Sequence, residues 1–231
     1  RVFRNWSASL GVRKELPGHW STGVHLGKSF RIPYLNETSS NGMHHGTFRH
    51  EQGSADLVSE HGYQLDFSIS KAGSRFVGEL ASYFNYFDNY IYLKPSGRFS
   101  TLPEAGQVYT YVQNDAIYSG FELDLQYHIT AKLSLNHSWE YVWNLNTETG
   151  LALPFTPPAT TLTQVRWKLG NKGGSKDNLI WVKYQHTFAQ NRTDRNEQPT
   201  PGYDLLSAGL SGALKLHGLT ILWGAKVNNL F

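Results

Sequence analysis

Apolar and polar residues alternate along most of this chain. The pattern is clearest near its end, where Leu219, Ile221, Trp223, Ala225 and Val227 fall on one side and Thr220, Leu222, Gly224, Lys226 and Asn228 on the other. A period of two is the signature of a strand, because successive side chains point to opposite faces. Ten stretches share it: 3–15, 19–30, 60–71, 75–93, 107–128, 131–145, 160–170, 177–190, 203–215 and 218–230. Short connections fall at Pro17-Gly18, Ala72-Gly73-Ser74, Ile129-Thr130, 171–176 and Leu216-His217, and long ones at 31–59, 94–106, 146–159 and 191–202. The two kinds strictly alternate, which predicts consecutive antiparallel hairpins. No helical period of the length a βαβ unit requires interrupts them.

A soluble sandwich with one wet face also alternates. Two features favour a transmembrane barrel instead. The stretches are longer than the usual strand of about 5–6 residues. Aromatic residues also gather next to the long connections: Trp139, Tyr141 and Trp143 before one, and Tyr83, Phe84, Tyr86, Phe87, Tyr90 and Tyr92 before another. Aromatic girdles at both interfaces, tight turns at one end and long loops at the other describe an outer-membrane barrel. The predicted class is therefore all-β, a transmembrane antiparallel up-and-down β-barrel.

Composition narrows the picture. Aromatics at 14 % argue against disorder. A formal charge of +3 without a Lys/Arg run gives no basis for nucleic-acid binding. The absence of cysteine removes disulfides and thiolate metal sites from consideration. No apolar run approaches the roughly 18 residues of a membrane helix, and Arg1-Val2-Phe3-Arg4-Asn5-Trp6 is not a signal peptide.

Six segments, in order, resemble the barrel of TonB-dependent outer-membrane receptors. Phe30-Arg31-Ile32-Pro33-Tyr34-Leu35-Asn36-Glu37 resembles the passage from a strand into a long outer loop, continued by Asn41-Gly42-Met43-His44-His45-Gly46-Thr47. Gly53-Ser54-Ala55-Asp56-Leu57-Val58-Ser59-Glu60 is similar to a Gly-Asn-Pro-Asp-Leu-x-Pro-Glu pattern, with Ala55 and Ser59 where prolines are usual. Ser119-Gly120-Phe121-Glu122 resembles the glycine-x-glutamate strand position, and Leu153-Pro154-Phe155-Thr156-Pro157-Pro158 the proline pair before a strand. Val227-Asn228-Asn229-Leu230-Phe231 resembles the approach to the last hairpin. The resemblance implies about ten strands, the twelfth to the twenty-first, of a barrel of about 22. It makes residues 1–231 a partial barrel without plug domain, TonB box, early strands or last strand. The terminal Phe231 points the other way, since complete barrels often end so. The implied function is TonB-energised uptake of a scarce ligand across a Gram-negative outer membrane. The implied partners are outer-membrane lipid, the TonB complex through the absent N-terminal region, and a small-molecule or metal substrate.

The connection 31–59 holds His44, His45 and His50, with Glu37 and Glu51 nearby, then Asp56, Glu60 and His61. Imidazole with carboxylate suits Zn²⁺ or a similar ion, and haem iron takes a His ligand. His44, His45, His50, Glu37 and Glu51 are the candidate substrate-binding residues, and His44, His45 and His50 the candidate metal ligands. The spacing matches no compact motif, so a solvated loop remains open as the alternative. No resident cofactor is expected; the transported ligand would be Zn²⁺, haem or an iron chelate. A second candidate set faces the lumen: His25, Gln64, Asp66, Glu122, Asp124, Glu140, Gln164, Arg166, Lys183 and Lys226. Plug contact or hydration explains these without a substrate.

Two enzyme-like motifs fail. Gly23-Val24-His25-Leu26-Gly27-Lys28-Ser29 lacks the first P-loop glycine, with Thr22 there, and no helix follows. Gly209-Leu210-Ser211-Gly212-Ala213 ends in Ala and sits within a strand. No enzyme activity is expected. Two rivals remain: a self-contained ten-stranded outer-membrane hydrolase, and an adhesion or assembly barrel.

Overall fold

The computed structural model describes residues 3–171 and 174–230. Ten long strands form one meandering sheet: β1 (Ala8–Leu16), β2 (Trp20–Arg31), β5 (Glu60–Ala72), β6 (Phe76–Phe99), β7 (Gln107–His128), β8 (Leu133–Asn146), β9 (Thr160–Lys168), β10 (Ser175–Thr187), β11 (Tyr203–Leu216) and β12 (Leu219–Val227). Each pairs antiparallel with its neighbour in that order. Phe231, Arg1, Val2 and the middle of the 171–176 connection lie outside the described residues.

The ten expected strands are all present, with two corrections. The connection 31–59 is not featureless: it holds a five-residue helix α1 (Leu35–Ser39) and a hairpin of β3 (Asn41–His44) and β4 (Arg49–Gln52). β4 then runs parallel to the outer end of β7, pairing His50 with Val108 and Gln52 with Thr110. The second correction is β6, which continues past Pro95 to Phe99. Its pairing with β7 shifts between Phe87 and Tyr90 and again between Pro95 and Phe99. A bulge of this kind lets a strand pass one unpaired residue and bend.

Tight turns close the other end. At His217-Gly218 both residues have positive φ (45° and 84°), as a two-residue turn matching strand twist requires.

Directly paired residues share a face, so the register carries one face across the sheet. Leu10, Leu26, Leu65 and Phe84 form one continuous row, and Leu135, Val165, Val182, Ala208 and Val227 another. These rows open outward: Leu10 is 69 % and Val227 56 % exposed. An apolar sheet face of this extent belongs in lipid. The buried residues lie elsewhere. Tyr92, Ala116 and Leu153 form the core cluster, packed with Phe87, Tyr90, Val112 and Tyr118 beneath the long connections.

The register also corrects the aromatic girdle. Trp139, Tyr141 and Trp143 do pair with the outward residues Leu123, Phe121 and Ser119. Of the six β6 aromatics expected there, however, only Phe84 and Tyr86 face outward; Tyr83, Phe87, Tyr90 and Tyr92 face the lumen. The bulge at Asp88-Asn89 shifts the alternation by one, which an uninterrupted period of two does not anticipate.

Candidate functional site

The outer connections fold into a layer tied to the wall by individual polar residues. The strongest tie is Arg31, at the end of β2. Its Nη1 donates to both Glu37 carboxylate oxygens (3.0 and 2.8 Å), and its Nη2 to the Ile91 carbonyl at 3.1 Å. The same Nη2 lies 3.1 Å from Glu60 Oε2, which accepts the Ile91 amide at 2.8 Å. Both carboxylates are buried. Burial alone would pull the guanidinium pKa down, but hydrogen bonding to Glu37 and the charge of Glu60 outweigh it and raise it above its ordinary value. Glu37 also accepts the Tyr34 amide at 2.7 Å, which starts α1.

The hairpin β3–β4 carries the histidines. His44 Nδ1 lies 3.3 Å from Thr47 Oγ1, and His45 is exposed at the tip. His50 is held at both nitrogens, by Ser100 Oγ at 2.8 Å and Asn41 Oδ1 at 3.3 Å. Glu51 accepts the Tyr111 hydroxyl at 3.2 Å. Next to them the Arg49 guanidinium stacks on Tyr109 and Phe155, 4.8 and 4.5 Å from the ring centroids. The hairpin therefore gathers His44, His45, His50 and Glu51, while Glu37 is committed to Arg31. Among the described residues no three His, Asp or Glu side chains converge into one metal-ligating group. The three histidines form no closed cage: Met43 pairs with His50 and His44 with Arg49, which puts His44 and His50 on opposite faces of the hairpin. His61 lies apart, 3.3 Å from Lys28 Nζ.

The remaining outer connections pack over the core. Asn144, fully buried, accepts the Leu153 amide at 2.9 Å and donates to Thr156 Oγ1 at 2.6 Å. Asn146 donates to Tyr92 Oη at 2.8 Å. Burial first, and then the charge of Asp194, pushes the Tyr92 phenol up to about 12. Tyr118 donates to Tyr90 Oη at 3.1 Å, and the Phe87, Tyr90, Tyr92 and Tyr118 rings contact one another. This lumen-facing tyrosine cluster escaped the sequence reading. Its signal is the run of aromatics on β6, which the sequence places in the girdle and the register turns inward at Phe87, Tyr90 and Tyr92.

All ten lumen candidates, His25, Gln64, Asp66, Glu122, Asp124, Glu140, Gln164, Arg166, Lys183 and Lys226, lie on one face of the sheet. His25 Nδ1 and Gln64 Nε2 both reach Asp66, at 3.2 and 2.7 Å. Midway along this face Gly120 is obligatory, because a Cβ there would meet the Tyr141 carbonyl and the Tyr83 hydroxyl.

The family model "TonB dependent receptor-like, beta-barrel" matches residues 1–230. The chain belongs to the TonB-dependent receptor family. The family is one of receptors and transporters, and its barrels sit in the Gram-negative outer membrane, where the bare apolar rows meet lipid. Similar solved structures include the copper transporter OprC (TM-score 0.80, 21 % identity), covering 97 % of this chain and 33 % of that one. The ferric enterobactin receptor PfeA follows (TM-score 0.68, 20 % identity, 98 % and 35 % coverage). The siderophore receptor PirA from Pseudomonas aeruginosa gives 0.65 at 17 % identity, with 98 % and 39 % coverage. The TonB-dependent receptor chain described here thus spans about a third of the length of these structures.

Proposed function

We propose that this chain forms part of the plugged barrel of a TonB-dependent transporter that imports a scarce ligand: a metal ion, haem or a metal chelate. One observation carries the reading. A sheet with a bare apolar outer face and a charged inner face bears a folded layer of polar and aromatic side chains at its long-loop end. Capture then falls to that layer, with His44, His45, His50 and Glu51 offering nitrogen and oxygen donors on the β3–β4 hairpin. Glu37 acts through the Arg31 tie that positions the hairpin. Neutral imidazole suits Zn²⁺, Cu²⁺ and haem iron alike. Names among the similar structures, a copper transporter and ferric-siderophore receptors, support the metal-bearing class. Release inward requires energy passed from the inner membrane by TonB, through a segment preceding this chain.

The test is uptake of labelled metal and metal chelates by cells carrying or lacking the receptor, with and without TonB. Uptake that needs both supports the reading; uptake indifferent to TonB overturns it. Replacing His44, His45 and His50 together by Ala should raise the half-saturating concentration about tenfold or more. An unchanged value moves capture away from the hairpin.

A further inference from the structure

The register sorts the charges of the lumen face. Below the Arg31–Glu60 tie, β5 to β8 carry Asp66, Glu79, Glu122, Asp124 and Glu140 there, and no paired Lys or Arg. From β9 to β12 the same face carries Arg166, Lys168, Lys176, Lys183, Lys215 and Lys226, and no paired carboxylate. One wall is acidic and the adjoining wall basic.

Neither wall is neutralised from within. Glu79 stands directly opposite Asp124, and Glu122 opposite Glu140. Like charges at facing positions destabilise a sheet. Among the described residues none of these four makes an ion pair, and none of the six cations does.

We propose that the lumen face seats a folded polypeptide domain of the same receptor whose own surface is charge-split, basic against β5–β8 and acidic against β9–β12. The proposal rests on the plugged-barrel reading above and adds to it the polarity and the rotational setting of the plug. Size excludes a small ligand as the shared partner. The centres of the two walls are four strands apart, about 19 Å at the usual strand spacing. A water-filled pore would screen each wall but would give no reason for opposite signs on adjoining walls. A dipolar domain matches both at once, and in only one rotational setting, because turning it brings like charges together.

The experiment uses the whole receptor in planar bilayers. One variant reverses the acidic wall (Glu79→Lys, Glu122→Lys and Glu140→Lys), another the basic wall (Arg166→Glu, Lys183→Glu and Lys226→Glu). A third, Glu79→Gln, Glu122→Gln and Glu140→Gln, removes charge without adding any. Heat-modifiable gel mobility reports that each barrel has folded. The expected result is a closed wild type, steady current at least about tenfold above it in both reversed walls, and a smaller rise in the neutral set. A closed wild type with all folded variants equally closed overturns the charge-split plug and leaves the plugged barrel standing. A wild type that itself conducts steadily overturns both, and the lumen then holds water.

Discussion

The membrane-crossing wall and the outer layer above it are built on different rules. In the wall almost any apolar side chain serves on the outward face, because the lipid contact is generic and the backbone ladder closes the hydrogen bonds. Leu10, Leu26, Leu65 and Phe84 occupy one row with no specific contact among them needed. The outer layer has no such latitude. There single side chains satisfy particular backbone groups: Glu60 takes the Ile91 amide, Asn144 the Leu153 amide, and Gln113 Oε1 the Val58 amide at 2.7 Å. The difference teaches that the wall tolerates change of residue but not of polarity, whereas the layer tolerates neither at its ties.

Arg31→Ala tests this contrast most severely. It leaves two buried carboxylates facing each other without a cation, a loss of about 3–5 kcal/mol for a broken buried pair. Hydrogen exchange should rise across 32–59 while β5 to β10 stay protected; equal protection throughout would dissolve the distinction. Next comes a charge on each face of one strand. Leu65→Arg, on the lipid face, should cost about 2–4 kcal/mol in denaturant unfolding from vesicles, and Gln64→Arg, on the lumen face, far less. Equal costs would mean that the outward face has been misassigned. Asn144→Ala strands the Leu153 amide and should cost about 1–3 kcal/mol, seen as faster proteolysis within 147–159. The smallest effect is one of pH. Hydrogen bonds from the Asn89 amide and then the Tyr86 hydroxyl hold the Asp115 carboxyl below 3.8. Its stabilisation is therefore present above about pH 4 and lost as pH falls through the lowered value. Exchange of the Asn89 amide should quicken below that pH and become pH-independent, beyond intrinsic exchange, in Asp115→Asn.

The wall was legible because lipid on one side and water or protein on the other impose a period of two. The layer was not. Asn41–His44 and Arg49–Gln52 alternate nothing apolar, and β4 owes its existence to β7, more than fifty residues away. Pro95 and Gly97 read as breakers, yet β6 runs through both, because Pro95 lies at the shifted edge of the β6–β7 ladder, where a missing amide is tolerated. Of the candidate site, proximity in sequence placed His44, His45 and His50 on one hairpin, but not that His44 and His50 take opposite faces of it. It could not show that Glu37 was already taken by Arg31, since that pairing depends on α1 turning the carboxylate back. The tyrosine cluster was hidden by one bulge residue, Asn89, whose positive φ of 58° no local pattern announced.

Arg31 and Glu60 bracket the connection between them, one at its first residue and one just past its last. Fastened at its mouth in this way, the segment behaves as a cassette. Because the entropy of closing a longer loop grows only slowly with its length, the span from 38 to 59 could be shortened, lengthened or exchanged for another hairpin while the clasp and the strands beneath it stay as they are. Receptors that must change what they grasp, or evade what grasps them, would gain new outer surfaces this way without relearning how to fold.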